Sequence, residues 1–331
     1  MSPEIELPSR APQGIAARPF QILCLSGGGY RGLYTAALLE KLENEAGKPL
    51  SQVFDVIAGT SIGGILALGL GCGLAAKKLR ASFEKNADRI FPKWYRIKGR
   101  KIFPRFPKGI LKARYPKEGL RDTIDEIFGD KTKAKINSGM ATQLLITSVD
   151  LTSRTARLFR STDVNCDTSL IDIALATSAA PTYFPEHLVD SAIMVDGGLV
   201  ANAPDLIAVI EALKGAKLED IRVLSVGTAG REGANAYREP GSPGLLASAK
   251  GIFELTLNAQ EEMSIQSVKE LLVGRFIRLD ETASEKEREE IGLDMTSKTA
   301  AKTLQLMADR TWKREFKEHS ILFKDMLNRS K

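Results

Sequence analysis

Residues 53–64 read Val53-Phe54-Asp55-Val56-Ile57-Ala58-Gly59-Thr60-Ser61-Ile62-Gly63-Gly64. An apolar run ends in glycine, and Gly59-x-Ser61-x-Gly63 follows without a gap. Val56 to Ala76 then carries 21 residues without a charge, six of them glycine. That length can cross a bilayer, and spanning helices tolerate glycine, so length alone leaves two readings. The polar Thr60-Ser61 pair and its flanking glycines favour a buried strand, a tight turn and a buried helix. In a strand–Gly-x-Ser-x-Gly–helix context, a strained turn presents a serine as a nucleophile. The helix also aims its first N–H groups at the serine and favours negative charge there. A serine that merely caps the helix is the plainer alternative.

Upstream, "FQILCL" (20–25) leads into Ser26-Gly27-Gly28-Gly29-Tyr30-Arg31-Gly32 and a helical pattern with a stop signal at Gly47. The spacing Gly27-x-Gly29-x-x-Gly32 fits the dinucleotide-binding fingerprint. That fold wants an acidic residue at the end of the next strand to hold a ribose. Here the next strand ends in the Ser61 turn. A P-loop fails as well, because Leu33-Tyr34 stand where Lys and Ser/Thr are required. Consecutive glycines before a helix can instead offer N–H groups to the oxyanion of an acyl transfer, where one donor is worth about 10²–10³ in rate. Gly27, Gly28, Gly29, Tyr30, Arg31 and Gly32 are therefore the candidate oxyanion hole. Gly59, Thr60, Ile62 and Gly63 form the turn around the candidate nucleophile Ser61.

A serine alcohol needs a base. The chain has two histidines: His187 in "YFPEHLVD", and His319 in an amphipathic pattern near the C-terminus. The better candidate is Asp196 in "IMVDGG". Its carboxylate ends an apolar strand, and Gly197-Gly198 permit close approach to another backbone. An Asx-type turn is the alternative for this motif.

Over the 331 residues, strand patterns alternate with helical ones. "TQLLITSVDL" and "RTARLFRS" read as paired strands, and "SLIDIALATSAAP" as a helix running into Pro181. "IRVLSVGTAG" is a further strand ending in a glycine turn. After Leu245 the pattern is mostly helical, interrupted by "RFIRLDE". These features predict an α/β fold with a largely parallel sheet and functional residues at the carboxyl ends of strands. Residues 1–19 read as a flexible lead-in and 20–331 as one domain, with a motif-bearing core at 20–280 and C-terminal helices at 281–331. The N-terminus lacks the basic and apolar regions of a secretory signal. Three cysteines without metal-ligand or redox spacing fit a reducing, cytoplasmic setting. Two histidines exclude a histidine-rich metal site.

Net charge is +6, unevenly spread. Ten Lys or Arg and no acidic residue lie between Phe91 and Lys117, so removing them leaves the rest at −4. Six aromatics are interleaved. Cations and aromatics together suit an anionic lipid surface, at about 1 kcal/mol per cation. They suit nucleobases and phosphates equally, or a solvated excursion with its rings tucked into the core. Trp94, Tyr95, Arg96, Arg100, Lys101 and Arg105 are the candidate membrane or ligand contacts. The glycine loop and this segment keep open a nucleotide- or nucleic-acid-binding module as the different-class reading.

In order, "GGGYRG", "GTSIGG", "ATSAAPTYFP" and "DGG" resemble the patatin-like phospholipases and lipid acyl hydrolases, across roughly residues 20–280. The resemblance implies a three-layer α/β/α fold with a largely parallel central sheet. It implies an oxyanion hole at Gly27–Gly32, a nucleophile at Ser61 and a histidine-free dyad completed by Asp196 of Asp196-Gly197-Gly198. No metal or organic cofactor is implied for catalysis. The opening "ILCLSGGGYRGLYTAALLEKLE" looks more narrowly like the phospholipase effectors of cyclic-oligonucleotide antiphage systems. That likeness implies activation by a cyclic dinucleotide from a partner nucleotidyltransferase. It also implies attack on membrane phospholipids at the inner face of the cell membrane, as an antiviral effector. A homo-oligomer is compatible with it and a nucleic-acid partner is not implied. An unregulated lipid acyl hydrolase or lysophospholipase is the alternative within the family.

Overall fold

The computed structural model describes residues 18–93, 95–97, 100–102, 113–230 and 249–328. The chain first lays down β1 (Phe20–Leu25), α1 (Gly32–Ala46), β2 (Val56–Thr60), α2 (Ile62–Gly71), α3 (Ala76–Lys85) and α4 (Ala87–Ile90). A hairpin of β3 (Tyr95–Ile97) and β4 (Arg100–Ile102) precedes α5 (Lys117–Phe128). A second hairpin, β5 (Gln143–Asp150) and β6 (Thr155–Arg160), precedes α6 (Leu170–Thr177). Next come β7 (His187–Val189), β8 (Ala192–Asp196), α7 (Gly198–Ala201), α8 (Asp205–Ala212) and β9 (Ile221–Val226). The C-terminal part supplies α9 (Ala249–Leu271), β10 (Phe276–Leu279), α10 (Glu285–Glu290), α11 (Lys298–Glu318) and α12 (Ser320–Leu327).

Eight strands form the central sheet in the order β10-β9-β1-β2-β5-β8-β7, with β6 also on β5. The run from β10 to β5 is parallel throughout. β6 and β8 pair antiparallel with β5, and β7 pairs antiparallel with β8. The sheet is mostly parallel, with an antiparallel flank on one side.

Alternation along β1 and β2 builds two cores. Leu23, Leu25 and Ile57 join a large cluster with residues of α1, α2, α3, α6 and α11. Ile22, Cys24, Val56 and Ala58 face the other way, onto Ala208 and Val209 of α8 and Val268 of α9. Helices thus cover both faces of a sheet whose central strands are buried throughout, as a parallel sheet requires. The uncharged stretch 56–76 resolves into β2, the Ser61 turn, α2 and the start of α3. No helix among the described residues is long and apolar enough to cross a membrane. The second strand begins at Val56 rather than Val53, because Leu50–Gln52 form a 3-10 turn and Asp55 turns its carboxylate to the N–H of Gln21, 2.8 Å away.

Candidate functional site

Ser61 stands between the end of β2 and the start of α2 with φ 55° and ψ −126°. A non-glycine residue rarely adopts a positive φ, and such backbone costs on the order of 1–3 kcal/mol. The turn is tight because its glycines touch. A Cβ on Gly59 would lie 2.3 Å from the Gly63 carbonyl oxygen, and one on Gly63 would lie 2.3 Å from that of Leu25. Any side chain at either position would push α2 off the sheet.

Asp196 reaches the same place from the opposite direction. β8 is antiparallel, so its carboxyl end would normally lie at the far edge of the sheet. Along β5 it reaches only the last three residues, with Ser148 opposite Asp196, and β5 overhangs β2, whose Thr60 lies opposite Thr147. The overhang brings Asp196 level with the Ser61 turn. Its carboxylate is buried, interacts with the Ser61 hydroxyl and accepts a hydrogen bond from the Gly198 N–H at 2.7 Å. Burial raises its pKa to about 6, with the Ser61 hydroxyl and the Gly198 N–H acting the other way.

Thr177, at the end of α6, ties the two turns together. Its hydroxyl accepts the Ser61 N–H at 2.9 Å and its carbonyl accepts the Gly197 N–H at 3.3 Å. The Asp196 N–H is held by the Ala179 carbonyl at 3.0 Å. The Ala-Thr-Ser-Ala-Ala motif therefore acts as a clamp, a role that sequence reasoning did not assign to it.

Most N–H groups of the glycine loop are already engaged. Gly27 donates to the Asn202 carbonyl (3.0 Å), Tyr30 to the Leu293 carbonyl (2.8 Å) and Arg31 to the Gly28 carbonyl (3.1 Å). Gly32 donates within the 3-10 turn Gly29–Arg31. The Gly28 and Gly29 N–H groups meet no partner among the described residues, and both glycines line a cavity with Ser61 and Asp196. The Tyr30 ring is instead buried against Phe83 (centroids 5.9 Å apart) and Phe91 (6.5 Å). Neither Tyr30 nor Arg31 lines that cavity, and Arg31 points into a second one.

Below the loop lies a charge network that sequence reasoning missed. The Arg278 guanidinium reaches Ser26 (3.0 Å), Ser225 (2.8 Å), Asp280 (2.7 Å) and Glu261. Burial alone would lower its pKa, but Asp280, Glu261 and Asp205 raise it above the ordinary guanidinium value. Glu261 in turn accepts the Asn202 side-chain amide at 2.6 Å, so one network spans Ser26, Asn202 and the backbone of Gly27.

The cavity holding Ser61 is narrow, about 50 Å³, and its walls are mainly Ile62, Ile65, Phe83, Phe91, Phe184 and Leu257. His187 is buried elsewhere, with its Nε2 3.0 Å from the Asp172 carboxylate, and His319 stands 3.5 Å from Glu315. Neither histidine lines the cavity. Tyr95, Arg96, Arg100 and Lys101 fall in the β3–β4 hairpin, of which only the backbone is described. Trp94 and Arg105 lie outside the described residues.

A serine on a strained strand–helix turn, beside a buried carboxylate and flanked by unengaged backbone N–H groups, is the layout of a serine ester hydrolase. The family model described as patatin-like phospholipase matches residues 23–209, and the chain belongs to that family. It is 34% identical over 301 residues to a cGAMP-activated phospholipase of Pseudomonas aeruginosa, covering 86% of each chain. To a cGAMP-activated phospholipase of Vibrio cholerae it is 33% identical, over 91% of this chain and 93% of the relative. A cUMP-AMP-activated phospholipase of Escherichia coli is 27% identical over 76% of each. The protein is a patatin-like phospholipase.

Proposed function

We propose that the protein releases fatty acids from membrane phospholipids through a Ser61–Asp196 dyad, and that a cyclic dinucleotide switches it on. The observation that carries the chemistry is the meeting of Ser61 and the buried Asp196 in one cavity with the unengaged N–H groups of Gly28 and Gly29. Asp196 takes the proton of the Ser61 hydroxyl as its oxygen attacks the acyl carbonyl carbon. The Gly28 and Gly29 N–H groups hold the oxyanion. Collapse of the tetrahedral intermediate expels the lysophospholipid alcohol, which takes the proton back from Asp196. Water, deprotonated by the same carboxylate, then attacks the acyl-enzyme, and the fatty acid leaves with Ser61 regenerated.

The apolar walls of the cavity favour an acyl chain over a polar substrate. Its roughly 50 Å³ is far below the 300–1,000 Å³ of typical ligand pockets, so an acyl chain enters only if the aromatic wall shifts. A closed resting form fits an enzyme that waits for an activator, and the three relatives are named for such activation. The test is fatty-acid release from phospholipid vesicles with and without cyclic GMP–AMP or cyclic UMP–AMP. Wild-type release should rise on addition of one of them, and Ser61→Ala and Asp196→Asn should release none. Release that neither nucleotide changes would remove the activator from the account, and full release by Ser61→Ala would remove the dyad.

A further inference from the structure

Resting on the proposed cyclic-dinucleotide switch, we propose that the activator's phosphodiester binds in a second cavity, between Arg31, Arg288 and the segment Ile291–Met295. That cavity measures about 390 Å³, within the range of ligand pockets, and is lined by Glu254, Asn258 and Leu257 of α9 as well. Its two arginines are poorly satisfied. The Arg31 Nε is buried without a hydrogen-bond partner, and its Nη1 makes one long contact, 3.4 Å, to the Gly230 carbonyl. Arg288 makes one contact at 3.5 Å, to the Ala283 carbonyl. Neither forms an ion pair among the described residues, whereas Arg80, Arg278, Arg310 and Arg314 all do. The charges of Glu261, Glu254 and Asp280 act on Arg31, yet its Nε stays without a hydrogen bond, and Arg288 is half-buried; a phosphodiester spanning the two would hydrogen-bond both. Asn258, one turn beyond Glu254 on α9, offers an amide of the kind that reads a nucleobase edge.

The same wall reaches the active site by two routes. Leu293 lines both cavities, and its carbonyl accepts the Tyr30 N–H at 2.8 Å, next to the loop that carries Gly28 and Gly29. It packs so closely on the loop that a Cβ on Gly29 would lie 2.2 Å from the Leu293 oxygen. Asp294 accepts hydrogen bonds from Arg114 (2.5 Å) and the Tyr115 hydroxyl (2.7 Å). The Tyr115 ring packs on Phe91 and Phe184, with centroids 5.5 and 5.9 Å away, and both belong to the wall of the serine cavity. One five-residue segment therefore touches the anion site, the glycine loop and the aromatic wall. A ligand that draws Arg31 or Arg288 toward its phosphates changes what that segment can hold.

The phosphodiester could belong to a cyclic dinucleotide or to a phospholipid head group, and calorimetry separates them. Cyclic GMP–AMP, cyclic UMP–AMP and glycerophosphoglycerol are titrated into the full chain, with thermal melts run on each variant. The site predicts that wild type binds one cyclic dinucleotide, that Arg288→Glu weakens it at least tenfold, and that Arg288→Lys weakens it less. The coupling predicts that Asp294→Asn, which loosens Arg114 and Tyr115, releases more fatty acid than wild type without nucleotide. Unchanged affinity in a folded Arg288→Glu variant overturns the site while leaving the switch intact. Absence of binding and activation by both nucleotides in wild type overturns the switch itself. Tight glycerophosphoglycerol binding that Arg288→Glu abolishes, without nucleotide binding there, assigns the cavity to the head group and overturns the proposal. An Asp294→Asn variant indistinguishable from wild type overturns the coupling.

Discussion

At the scale of single residues, Asp196 is asked to be a base while buried. Its folded pKa of about 6 means that the ionised form dominates only above that pH. kcat/KM on a soluble short-chain ester should therefore rise through an apparent pKa near 6 and level off above it. A profile that rises through pH 4 instead would place an unburied carboxylate in the role. The raised pKa also has a stability cost of definite sign. Because it exceeds the unfolded value of about 3.9, its contribution is fully present below pH 4 and is lost as pH rises through 6. The loss is on the order of 3 kcal/mol. Asp196→Asn, inactive, should therefore melt higher than wild type at pH 8 and gain nothing at pH 4, as thermal denaturation at the two pH values would reveal. A lower melting temperature at pH 8 would mean that the carboxylate is better solvated than its burial implies.

At the scale of elements, the site is three chain turns, two of which are held in register by the end of α6. Thr177 accepts the Ser61 N–H, so Thr177→Val leaves that donor unpaired, at a cost of about 1–3 kcal/mol. We expect kcat to fall by at least tenfold with KM little changed, because the reacting groups shift while the acyl-chain wall stays. Steady-state kinetics on the soluble ester decide this, and a variant with normal kcat would reduce Thr177 to a packing residue. The turns themselves were legible in the sequence, since each is an apolar run cut by glycine: "FQILCL" became β1 unchanged, and Gly47 ended α1 with φ +63°. Thr177 was not legible, because nothing in its spacing says which backbone donor its hydroxyl will meet. Nor was the direction of β8. A short apolar strand reads the same whichever way it enters a sheet, and Asp196 reaches Ser61 only because β5 overhangs β2.

At the scale of the whole molecule, the parallel half of the sheet carries the glycine loop and Ser61, and the antiparallel flank carries Asp196. The C-terminal region adds what the sequence motifs did not announce. β10 supplies Arg278, α9 supplies Glu261, and the segment after α10 supplies Leu293 against the loop. Arg278→Met would remove the guanidinium that Glu261 and Asp280 share, and breaking such a buried pair costs about 3–5 kcal/mol. Urea unfolding should show that loss, and a variant as stable as wild type would mean that the carboxylates simply protonate. These residues escaped sequence reading because their partners lie far away along the chain, Arg278 reaching Ser26 252 positions back and Leu293 reaching Tyr30 farther still. The central claim is that Ser61 is the nucleophile and Asp196 its base. Reaction with a small fluorophosphonate, followed by mass spectrometry of the modified peptide, tests it most directly. The account predicts one phosphonyl group on Ser61, none on the Ser61→Ala protein, labelling slowed at least a hundredfold in Asp196→Asn, and an unchanged rate in His187→Ala. Labelling of another residue, or wild-type labelling of the Ser61→Ala protein, would contradict it.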